Sequence, residues 1–128
     1  MAMIQIDIDD IYEAKHLSLE LYADSSDELF DEIESCNGDL ESGLSHLDDV
    51  DCDEPDSIFY NFKEIFCNYK LIKEIQQYNT VEALAAFILS YLASNPMFRF
   101  AAKNVKQGLA LLLAIYIIKE GIDQICNN

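Results

Sequence analysis

Proline and glycine are scarce in this chain of 128 residues, at 2 and 4, and with so few chain breakers the sequence leans toward helices. No apolar run reaches the roughly 20 residues of a membrane-crossing helix, so no membrane span is expected. Gly-rich phosphate loops, nucleophile elbows and paired metal-ligand motifs are all missing. The chain therefore reads as a non-enzyme without a cofactor. Its four cysteines, Cys36, Cys52, Cys67 and Cys126, form no C-x-x-C pair, and the N-terminus lacks the basic-then-apolar pattern of a signal peptide. A cytoplasmic protein with reduced thiols is the expectation.

Positive charge is scarce in the first half. Residues 1–64 carry 20 Asp and Glu against Lys15 and Lys63, a balance of −18, whereas residues 65–128 carry 4 acids against 6 bases. The whole chain stands at −16. Such a charge repels phosphates and excludes nucleic acid as a direct ligand; it favours a basic partner.

Hydrophobic residues make up 51% of the chain, enough for the core of a single domain. Their spacing predicts an all-α bundle of five to six helices, with one short N-terminal strand suggested by the alternation of Ile4, Ile6 and Ile8. Over 9–22 the pattern is ambiguous: Leu17, Leu19 and Leu21 alternate with Ser18 and Glu20 as in a strand, but a helix is favoured, with Ile8, Ile11, Tyr12, Lys15, Leu19 and Tyr22 on one face and Asp9 and Asp10 at its N-terminus. Ser25 and Glu28 form a capping-box pattern for a short helix over 26–36, whose Leu29, Phe30 and Ile33 give an apolar stripe. Asn37-Gly38 supplies residues able to adopt positive φ at its end. A further short helix is expected over 39–47.

Ser57 is placed to cap a long helix over 57–78, and Asn79-Thr80 to break it and cap the next, which carries Val81, Leu84, Ile88 and Leu92. Pro96 suits the first turn of the last helix. That helix contains the run 109–118, LALLLAIYII, which is apolar all round and must be enclosed. Three long C-terminal helices are expected to form the core, with the shorter acidic ones packed over it.

The loop 48–56 is the most acidic stretch: Asp48, Asp49, Asp51, Asp53, Glu54 and Asp56 are six of nine residues. Asp49, Asp51 and Asp53 match the first three ligand positions of an EF-hand, but Glu54 and Tyr60 stand where its glycine and bidentate glutamate belong. No metal site is expected. Glu13 and His16 make a single E-x-x-H, which a di-iron bundle needs twice. The candidate site is instead a partner-binding face built from the loop acids together with Asp27, Glu28, Asp31, Glu32 and Glu34.

In character the chain resembles two classes of protein. Immunity proteins of bacterial nuclease toxins are small, acidic, cytoplasmic and often helical, and phage-type DNA mimics that inhibit restriction or CRISPR enzymes are similarly acidic. The resemblance lies in size, charge and helix content, and no motif carries a residue across. It implies a basic protein partner, a nuclease toxin in the first class. Confinement of the acid to one half favours the immunity class, because a mimic spreads carboxylates along its length. A helical interaction domain with no inhibitory role is the remaining reading, with the acid serving solubility.

Overall fold

A helix with no polar face has to be surrounded, and the run 109–118 is. Every residue from Leu109 to Ile115 is buried, as is Ile117, while Tyr116 is half-buried and only Ile118 reaches solvent. The computed structural model describes residues 5–22, 27–40, 43, 67–94 and 103–126. Helix accounts for 80% of them. In chain order the segments are α1 (Ile8–Tyr22), α2 (Asp27–Ser35), α3 (Tyr69–Ile75), α4 (Val81–Ser94), α5 (Lys103–Glu120) and α6 (Asp123–Cys126). The all-α bundle is therefore the fold.

α5 is its axis. α4 packs along it more extensively than any other pair, and α1 is its second neighbour. α4 starts where Thr80 Oγ1 accepts the Ala83 N–H at 3.3 Å, an N-cap bond, and buries Leu84, Ala85, Ile88 and Leu92 at helical spacing. α5 stops at Gly121, whose φ of +92° lets its N–H reach the Ile117 carbonyl at 2.7 Å. That left-handed cap turns the chain into α6.

Two expectations are corrected here. The helix over 57–78 is not continuous: Asn68 is extended, with φ −81° and ψ 150°, and its side chain caps α3 by accepting the Leu71 N–H at 2.8 Å. A short Asn side chain competes with the helical backbone and starts a new helix. Two long C-terminal helices, not three, thus flank one another among the described residues. The thiols are corrected too. Cys67 and Cys126, 59 residues apart in sequence, have Cα atoms 5.4 Å apart and are joined in a disulfide, which ties the start of α3 to α6. The stack of Tyr78 on Phe87, with ring centroids 5.2 Å apart, holds the segment after α3 against α4.

The N-terminal alternation gives a single antiparallel bridge, Gln5 with Asp39, and no strand among the described residues. Ile6 turns inward, 3% exposed, whereas Ile8 is 49% exposed and already begins α1. Lys119, near the C-terminus of α5, donates to Asp7 at 2.9 Å and to Asp10 at 3.1 Å. Those two hydrogen bonds hold its ammonium above the usual lysine range, so it stays charged at neutral pH. The pair sits where dipoles favour it, carboxylates at the N-terminus of α1 and an ammonium at the C-terminus of α5.

α2 ends as the sequence suggests. Asn37 and Gly38 take φ of 59° and 86°, the Asn37 N–H donates to Glu34 O at 3.0 Å, and the Gly38 N–H donates to Ile33 O at 2.8 Å. This is a Schellman ending. A Cβ on Gly38 would collide with the Ile6 carbonyl oxygen, a backbone atom that cannot swing away. Gly38→Ala therefore combines a positive-φ penalty with overpacking, together about 3 kcal/mol. For a domain of this size that is a melting temperature lower by about 10 °C in a thermal scan; a shift within 2 °C would contradict the close packing of the α2 cap on Ile6. The expected helix over 39–47 is represented by helical backbone at Leu40 and Gly43. Residues 41, 42 and 44–47 lie outside the described ones, as do Ile4, Ser25, the loop 48–56, the stretch 57–66 and Pro96.

Candidate functional site

α2 separates its two faces completely. Leu29, Phe30 and Ile33 are 0% exposed, which leaves the carboxylates to the outside: Glu28 and Asp31 are exposed, and Glu32 and Glu34 are half-buried. Asp27 opens the helix. The candidate residues 27–34 thus belong to one short amphipathic helix whose inner face fixes the outer one. The loop candidates Asp48, Asp49, Asp51, Asp53, Glu54 and Asp56 lie outside the described residues.

α1 runs antiparallel beside α2, as two cross-helix pairs show. The Tyr12 hydroxyl donates to Glu34 Oε1 at 3.2 Å, and Lys15 Nζ lies 3.8 Å from Asp31 Oδ1. α1 turns Ile11, Ala14 and Ser18 inward. The face expected to be buried is therefore rotated: Ile8, Tyr12 and Leu19, which belong to it, are 49%, 52% and 54% exposed. The acidic charge of Glu34, followed by the hydrogen bond Glu34 accepts, raises the Tyr12 hydroxyl above its ordinary pKa. Tyr12 consequently stays a neutral donor at any physiological pH.

Carboxylates missed by the sequence reading also stand on α1. Asp9, Glu13 and Glu20 are exposed and, at 3.6 residues per turn, fall within about 40° of one another. His16 is on the same ridge, 3.0 Å from Glu20. That spacing was legible, but the ambiguity of 9–22 between helix and strand hid it. The hairpin of α1 and α2 therefore carries two acidic ridges on a scaffold anchored to α5. Between the start of α1 and the end of α2 lies a recess of about 190 Å³, lined by Ile6, Ile8, Ile11, Glu34, Asn37 and Gly38.

Among the described residues no group of three or more His, Cys, Asp and Glu side chains could hold a metal ion, and no helix is long and apolar enough to cross a membrane. No protein-family model, curated protein or solved structure matches the chain.

Proposed function

We propose that the protein binds a basic nucleic-acid-acting enzyme and blocks it, and that the partner is a nuclease toxin for which this chain is the immunity protein. The observation that carries the reading is the pair of acidic ridges, Asp9, Glu13 and Glu20 on α1 and Glu28, Asp31 and Glu34 on α2, held on a hairpin in the half of the chain that carries −18. Carboxylates fixed in space can occupy a cleft shaped for phosphates, and a folded scaffold holds them there at little entropic cost. The loop acids 48–56, which lie outside the described residues, are assigned to the same partner in this proposal. No catalytic step is assigned to the chain.

The encounter is placed in the cytoplasm, where a nuclease reaches the cell's own nucleic acid. Charge steering predicts the kinetics. Association with a basic nuclease captured from the native host, followed by surface plasmon resonance, should slow about tenfold or more between 50 and 500 mM NaCl as screening shortens the reach of the charges. Dissociation should change less, because it depends on buried anchors. An association rate indifferent to salt would contradict the proposal. Competition with duplex DNA for a restriction or CRISPR complex, without inhibition of a toxin, would assign the chain to the DNA mimics instead.

A further inference from the structure

On a helix of 3.6 residues per turn, Ile8, Tyr12 and Leu19 fall within about 40° of arc and span about 16 Å. All three are large, apolar and about half exposed. Burial of such residues is the default, and a row of them on one helix marks a surface that something covers. The row is also bracketed by charge. Asp9, Glu13 and Glu20 flank it on α1, and Asp31 and Glu34 face it from α2 through Lys15 and Tyr12. The recess beside Ile8 is lined by three isoleucines together with Glu34, Asn37 and Gly38.

These features together select the occupant. A second copy of this chain would bring carboxylates against carboxylates, at −16 each, and self-repulsion opposes that. Apolar ground between two acidic ridges matches instead a segment that is apolar on one side and cationic along its edges. The recess suits a lysine or arginine, whose aliphatic stem can lie on Ile6, Ile8 and Ile11 while its charged head meets Glu34. A docked helix places its anchors at i, i+3, i+4 and i+7, over about two turns, which the row of about 16 Å accommodates.

Building on the reading that the partner is basic, we propose that the outer face of the α1–α2 hairpin is the anchoring surface for a cationic amphipathic protein segment. Its apolar side lies on Ile8, Tyr12 and Leu19, and one of its basic side chains enters the recess at Glu34. The ridges then steer the encounter, and the stripe between them sets residence time.

The probe is a labelled 14-residue peptide of leucine and lysine with helical amphipathic spacing, compared with the same peptide carrying serine for every leucine, by fluorescence anisotropy at 150 mM NaCl. The leucine peptide should bind at least tenfold tighter. Tyr12→Ala, Leu19→Ser and Glu34→Gln should each weaken it by threefold or more, with circular dichroism unchanged. Leu21→Ser, altering an exposed leucine on the other side of α1, should leave binding as it was. Equal, salt-sensitive binding of both peptides, indifferent to the three substitutions, would overturn the anchoring stripe while leaving the basic-partner proposal standing. Binding of neither would overturn both. Self-association of the free protein in sedimentation, abolished by Leu19→Ser, would identify a second copy as the occupant and overturn the cationic segment.

Discussion

Cys126→Ser is expected to melt about 15 °C below the parent protein. The bridge from Cys67 to Cys126 closes a loop with a sequence separation of 59 residues, and removing such a constraint from the unfolded chain forfeits about 4 kcal/mol in the chain-entropy treatment. At about 4 °C per kcal/mol for a domain of this length, the melting temperature falls by that amount and the folding constant by roughly a thousandfold. The same loss should follow when reductant is added to the parent, and reductant should do nothing further to Cys126→Ser. The place of the bridge makes the effect specific: α6 is only 4 residues long, and beyond Gly121 it is the disulfide that fastens it to α3. Buried Ile122 should lose protection from hydrogen exchange before the core of α5 does. A melting temperature unmoved by reductant would show that the two cysteines are not joined in the folded protein. Alkylation in intact cells tests the proposed compartment: cytoplasmic thiol buffers oppose the bridge that joins Cys67 and Cys126 in the structure, so a fully oxidised pair in cells would contradict the cytoplasmic placement.

That disulfide was beyond reach of sequence pattern, since two cysteines so far apart with no short motif announce nothing until the fold brings α3 and α6 together. What was legible had local causes. The run 109–118 declares a buried helix because it offers no polar face, Thr80 announces the start of α4, and Asn37-Gly38 announces the end of α2; all three hold. Asn68 shows the opposite case. Apolar spacing continues across it, so periodicity alone favours one long helix, and only the capping bond to Leu71 reveals the break.

The candidate site divides in the same manner. On α2 the inner stripe is so clean that the outer carboxylates follow from it. On α1 the sequence offered several apolar positions for one inward face, and packing chose Ile11 and Ala14 over Ile8, Tyr12 and Leu19. The choice depends on where α5 and α2 lie, which no local pattern encodes. Its consequence is the exposed stripe between two acidic ridges.

Neutralising those ridges should act on binding instead of stability. Asp9, Glu13, Glu28, Asp31 and Glu34 changed to Asn or Gln keep their shapes, and the exposed pair of Asp31 with Lys15 contributes about 1 kcal/mol at most. The fold should survive, relieved of some self-repulsion. Charge pairs closed against a basic cleft are individually worth more, about 1.5 kcal/mol or above when close, so losing several should weaken the complex by at least a hundredfold. A second variant with Asp48, Asp49, Asp51, Asp53, Glu54 and Asp56 neutralised should separate the contribution of the loop from that of the hairpin.

The most direct measurement is inhibition. The protein captured from the native host by the parent chain should be a basic nuclease, and its cleavage of nucleic acid should stop at one equivalent of the parent while continuing in the presence of the hairpin variant at the same concentration. Cleavage that runs unhindered beside the parent, or inhibition that the neutralised hairpin retains in full, would contradict the proposal that these carboxylates occupy the enzyme's phosphate-binding cleft.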